Sequence, residues 1–152
     1  RLAQRHPALA GKRVFAVIWT TTPWTLPANL ALAVHPDAEY AFYPLEGTED
    51  VLVVAKALRA AAEARWRAPG NPAGPPPRLG APLAEAKGAE LERHPFLDRD
   101  SPVLLADYVT LDTGTGIVHT APGHGWDDYL TGIRYGLDIY CPVDEAGRYA
   151  PV

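Results

Sequence analysis

Proline limits what this chain can fold into more than any other residue. Sixteen of its 152 residues are proline, about twice the usual share of roughly 5%. Each fixes φ and removes a backbone donor, so neither a long helix nor a central strand runs through one. Short elements must fill the spaces between them. Residues 13–21, RVFAVIWTT, are apolar and β-branched and predict a strand that breaks at Pro23 into a rigid loop ending at Pro27. ALAV at 31–34 predicts a second strand, followed by a His35-Pro36-Asp37 turn. Residues 39–45 and 51–55 predict a hairpin. Over 56–66, Leu58, Ala62 and Trp66 recur one helical turn apart among good helix formers. The stretch 68–82 holds six prolines with Gly70, Gly74 and Gly80, and predicts a surface loop too poor in apolar bulk to pack.

The second half keeps this style. Strands are expected at 102–111 and 117–122, either side of a DTGTG turn. Trp126, Tyr129, Leu130, Ile133 and Leu137 then fall at helical spacing, and Asp128 projects almost opposite that apolar stripe. Many short strands, two helices and no regular alternation predict an α+β fold, a β-rich barrel-like core with a few flanking helices, in a single domain over 1–152.

Nearly half the residues are apolar, enough to bury a core. A net charge of −4 provides no basic face for wrapping a nucleic-acid backbone. The lone Cys141 allows no internal disulfide and fits a reducing compartment. No window approaches the roughly 18 apolar residues of a membrane span. A soluble, cytoplasmic domain is expected, and the lack of any methionine, at position 1 or elsewhere, points to a piece of a longer polypeptide.

Most chemical motifs fail on inspection. His119, His124, Cys141 and the aspartates match no zinc spacing, so no metal is expected. DTGTG resembles half of an aspartic-protease pair without its partner, and no serine nucleophile elbow exists. Asp127 and Asp128 at a helix start have an ordinary use against the helix dipole. Asp128 could instead face a cleft and hold a cation such as an amine. Pattern alone leaves both open.

Three segments taken together point further. WTTTPWTLPAN at 19–29, KGAELE with HPF at 87–96, and DTGTGIVHTAPGHGWDDY at 112–129 resemble, in collinear order, the editing domain inserted in the catalytic core of class I isoleucyl-tRNA synthetases. Valyl and leucyl relatives are similar in plan but carry TTRP where this chain has TTTP. The resemblance implies hydrolysis of valine misattached to tRNA(Ile), with isoleucine spared and Val-AMP a further candidate substrate. Such domains exist because one methylene is worth only about 1–3 kcal/mol to a binding site, isoleucyl-tRNA synthetases being the usual illustration of that limit. A valyl- or leucyl-type editor, or a non-catalytic insertion docking the tRNA end, are the rival readings.

The resemblance also assigns roles. Asp128 is expected to bind the α-ammonium, and His119 to stand against the amino-acid side chain where the extra methylene would clash. Thr20, Thr21 and Thr22 should line the ester and terminal adenosine, with Asn29 implicated and Trp24 shaping the pocket. No cofactor is implied. The expected partners are the 3′ end of tRNA(Ile) and the remainder of the synthetase chain. No general base is evident, so a positioned water, oriented by a ribose hydroxyl of the substrate, is the implied mechanism.

Overall fold

A computed structural model of the chain describes residues 2–68, 78–90, 94–97 and 99–150. After a short helix α1 (Leu2–Arg5) come strands β1 (Arg13–Ala16), β2 (Ala31–Val34), β3 (Glu39–Pro44) and β4 (Asp50–Ala55), then helix α2 (Arg59–Trp66). Strands β5 (Ala84–Lys87), β6 (His94–Leu97), β7 (Arg99–Ser101), β8 (Val103–Leu105) and β9 (Ile117–Thr120) precede helix α3 (Trp126–Tyr135). The larger sheet runs β1-β4-β3-β5, the smaller β8-β2-β9, and β6 pairs with β7. Among the described residues the sheets stay open rather than closing into a barrel.

The core lies between the two larger sheets. Leu32, Val34 and Ile117 from the smaller sheet meet Tyr40, Phe42, Val51 and Val53 from the larger. Tyr40 also has a polar role there. Its hydroxyl donates to Gly116 O at 2.6 Å and accepts from His35 N–H at 3.0 Å, tying the β2–β3 turn to the start of β9. Tyr40→Phe would leave the buried Gly116 carbonyl and the part-buried His35 amide unpaired, at about 1–3 kcal/mol for the first and less for the second. We expect a loss near 2–3 kcal/mol, read as a lower urea midpoint at unchanged m-value. A loss below about 0.5 kcal/mol would mean that the Gly116 carbonyl and the His35 amide find other partners.

Three expectations need correction. The strand predicted over 13–21 ends at Ala16. Val17 N–H still reaches Val53 O at 3.2 Å, but Ala55 N–H, next along that edge, donates to Thr115 O at 2.8 Å, so the ladder stops. Residues 18–22 run free of it into a 3-10 helix, Pro23–Ala28, where a loop was expected. The strand predicted over 102–111 is only β8, because its partner β2 ends at the His35-Pro36 turn. Finally, residues 69–77 of the proline-rich stretch lie outside the described residues, but Leu79 within it is buried against Ala41, Tyr43 and Val54. That part packs.

Helix α3 holds the largest surprise. The expected apolar stripe points outward, with Trp126 72% and Ile133 60% exposed. The inward side carries Thr131 and Gly132, both buried, and the half-buried Asp128 instead. Gly132 allows the close approach, since a Cβ there would lie 2.8 Å from Pro122 Cβ. Tyr135 OH donates to Leu105 O at 2.9 Å, and Gly136, at φ 68°, caps the helix in the left-handed conformation.

Candidate active site

The free segment after β1 turns on its own hydroxyls. Thr22 N–H donates to Thr20 Oγ1 at 3.0 Å, and the Thr20 and Thr22 hydroxyls lie 3.2 Å apart. Thr21 and Thr22 are exposed, so this row meets solvent at the end of the larger sheet. Inside it, β1 and β2 leave a cavity of about 40 Å³ lined by Phe15, Ala16, Ile18, Leu26 and Leu32, with Asn29 and His119. The apolar lining suits a small aliphatic group.

His119 reaches this cavity because β9 alternates its side chains and pairs Leu32 with His119. Its orientation is set by Thr25, which the resemblance had not assigned. Thr25 Oγ1 lies 2.9 Å from His119 Nε2 and donates its single proton to Thr22 O at 2.8 Å. The hydroxyl must therefore accept from His119, which places a hydrogen on Nε2. Nδ1 has no partner among the described residues. Burial holds the imidazole below its ordinary pKa, against an opposing pull from Asp128 and with a small contribution from His124. A neutral ring with a fixed tautomer results.

Asp128 sits in the first turn of α3. Its Oδ2 accepts Ala121 N–H at 2.9 Å, which fastens the helix start to the end of β9. Burial raises its pKa above the usual carboxylate value, while the Ala121 amide and His119 pull the other way. His119 and Asp128 are thus within electrostatic reach, and the Thr22–Thr25–His119 chain joins the threonine row to them. His124 is half-buried, with Nε2 unpartnered among the described residues.

The other two expected residues stand differently. Asn29 is buried and internally bonded, donating to Ala31 O and accepting from Ser101 Oγ, both at 2.8 Å. It braces the 3-10 helix against β2 and lines the cavity mainly with its bulk. Trp24 is 58% exposed and its carbonyl accepts from Tyr149 OH at 2.6 Å. Among the described residues no three His, Cys, Asp or Glu side chains converge as a metal site.

The architecture matches solved structures. The crystal structure of GlLeuRS-CP1 superposes with a TM-score of 0.65 at 22% identity, covering 91% of this chain and 56% of that one. The P. knowlesi cytosolic leucyl-tRNA synthetase editing domain gives 0.62 at 17%, over 86% and 52%. No protein-family model matches the chain. The fold is therefore that of the aminoacyl-tRNA synthetase editing domains.

Sequence narrows this further. Isoleucine–tRNA ligase of Geobacter sulfurreducens is 53% identical over 143 residues, 94% of this chain. That of Nitratidesulfovibrio vulgaris strain DP4 is 49% identical over 151 residues, or 98%. The chain belongs to the isoleucine–tRNA ligase family, and it spans 15% of the length of each of these relatives.

Proposed function

We propose that this chain hydrolyses the ester of valine misattached to tRNA(Ile) and spares Ile-tRNA(Ile), with Val-AMP a further substrate, within a cytoplasmic isoleucine–tRNA ligase. One observation carries the reading: the neutral, oriented imidazole of His119 lines an apolar cavity, stands within electrostatic reach of the half-buried Asp128 carboxylate, and is joined through Thr25 to Thr22 at the end of the hydroxyl row. Asp128 holds the α-ammonium through a charge-assisted hydrogen bond. His119 forms the wall that an isoleucine side chain strikes. Thr20, Thr21 and Thr22 offer hydroxyls, and Thr20 and Thr21 their backbone N–H groups, to the ester and its developing oxyanion. An aminoacyl ester is already activated, so a held water is sufficient nucleophile. The tRNA enters by its single-stranded 3′ end, which suits a chain of net charge −4.

Incubating the protein with Val-tRNA(Ile), Ile-tRNA(Ile) and Thr-tRNA(Val) tests this. Rapid loss of valine alone is expected, at least tenfold faster than loss of isoleucine, since discrimination rests on about one methylene. Preferential hydrolysis of Thr-tRNA(Val) would move the chain to the valyl type. Binding of the tRNA end without hydrolysis would make it a docking insertion.

A further inference from the structure

The basic side chains differ in what holds them. Lys12 pairs with Glu49, Arg13 with Asp50, Lys56 with Glu85 and Glu39, and Arg59 with Glu63. Arg65 is exposed and has no carboxylate partner among the described residues. Its guanidinium lies over the Trp19 ring, 4.1 Å from the centroid. Trp19 is itself held from the DTGTG turn, where Gly114 sits at φ 82° and a Cβ would come within 3.2 Å of Trp19 Cβ. The next residue along the chain is Thr20, first of the hydroxyl row. A cation at the end of α2 would complement the helix dipole from any rotamer. That alone does not require a planar guanidinium laid on an indole beside a substrate pocket.

A stacked guanidinium has given up little of its hydrogen-bonding capacity. Cation–π contact uses the face of the group and leaves its edge N–H donors free, in the fork geometry that suits a phosphate. In a chain of negative net charge, an unneutralised cation at this position is where a polyanionic strand would find its first attraction. We propose that Arg65 binds the phosphodiester on the 5′ side of the esterified terminal adenosine, with Trp19 holding the guanidinium in place. This rests on the editing reading, which puts the terminal ribose at Thr20–Thr22. The next anionic group along such a strand is that phosphodiester.

Two small substrates isolate the contact. The valyl ester of adenosine has no phosphate, whereas the valyl ester of the dinucleotide CpA has this one phosphodiester. The protein is expected to show a KM about tenfold lower for the CpA ester at similar kcat, in line with one charge-assisted contact. Arg65→Ala should abolish that difference and leave kcat/KM for the adenosine ester unchanged, which also shows that the variant folds. Arg65→Lys should restore part of it, as a point charge without the fork. The salt dependence of the CpA ester should flatten by about 0.7 in log–log slope.

A wild-type protein indifferent to the phosphate would overturn the proposal. So would an equal loss on both esters in Arg65→Ala. If the protein hydrolyses neither ester, the editing reading falls by itself. Titration with unesterified CpA against adenosine then still decides on Arg65: tighter CpA binding that is lost in Arg65→Ala supports the contact, and equal binding excludes it.

Discussion

Asp128→Asn is expected to lower kcat/KM for Val-tRNA(Ile) hydrolysis by about 10²–10³-fold, the usual cost of removing one member of a desolvated charge pair. The substitution separates two roles. Asparagine keeps a carbonyl oxygen for the Ala121 amide, which lies 2.9 Å from Oδ2 in the wild type, so the junction of β9 and α3 should survive. What disappears is the negative charge that pairs with the α-ammonium. Stability should move the other way or not at all. Burial raises the Asp128 pKa in the folded protein. A carboxyl whose folded pKa lies above its unfolded one favours folding below the unfolded pKa, and that contribution is lost as pH rises through the folded pKa. At neutral pH the ionised group is therefore a net cost to the fold, and neutral asparagine removes it.

The same shift sets a pH signature. In the free protein Asp128 must be ionised to bind substrate, so kcat/KM should fall in acid at a pH above the usual carboxylate range. Bound ammonium favours the ionised form, so the acid limb of kcat should lie at lower pH than that of kcat/KM. Coincident limbs, or Asp128→Asn turning over within threefold of wild type, would remove Asp128 from ammonium recognition.

How much of this could be read in the residues depends on what each pattern reports. Strands β3 and β4 and helix α2 stand where apolar, β-branched runs and a Leu58–Ala62–Trp66 stripe place them, β3 and β4 because they pair with each other across a short turn. Strand β2 stands where ALAV places it, although its partners β8 and β9 come far later in the chain. Strands β1 and β8 were overestimated, because their lengths are set by where β4 and β2 stop, and no local pattern carries that. Helix α3 shows a sharper limit. Periodicity says which residues share a face and is silent on which face the fold covers. The large apolar residues suggested the wrong one, whereas the covered side is marked by Thr131 and Gly132 and by Asp128, which finds a hydrogen bond. Asp128 does lie opposite the apolar stripe, as the projection has it, and that side faces the protein.

The motif resemblance named Thr20–Thr22, His119 and Asp128, and the fold links His119 through Thr25 to the Thr22 carbonyl and sets it within electrostatic reach of Asp128. It passed over Thr25, which sits inside the quoted WTTTPWTLPAN segment but acts on a histidine 94 residues away. The available signal was weak: a fourth threonine after a proline, at the spacing that lets its hydroxyl return to the Thr22 carbonyl. Asn29 shows the reverse case. Its polar groups serve the fold, so its effect on editing would pass through the position of the Pro23–Ala28 helix.

His119→Ala carries the second large effect, on selectivity rather than rate. The ring closes one side of the apolar cavity and is held rigid by the Thr25 hydroxyl. A rigid wall rejects an added methylene because the surrounding core does not yield, and a soft one would merely shift. Removing the imidazole opens room for that methylene and also frees Thr25. Hydrolysis of Ile-tRNA(Ile) relative to Val-tRNA(Ile) should then rise by roughly 10–100-fold, the range one methylene commands. The valyl rate itself should fall less, since no proton transfer is assigned to the ring. The wild-type ring, buried and held below its ordinary pKa, is neutral in the working range. Its protonation in acid would place a charge against an apolar wall, so the variant should also lose one ionisation from its acid limb. Deacylation of both esters by His119→Ala, measured across pH, separates these effects. Full discrimination in the variant would show that the sieve lies elsewhere, in the bulk of Phe15, Ile18 and Leu26. A valyl rate reduced a thousandfold with selectivity intact would make His119 a participant in the chemistry instead of its wall.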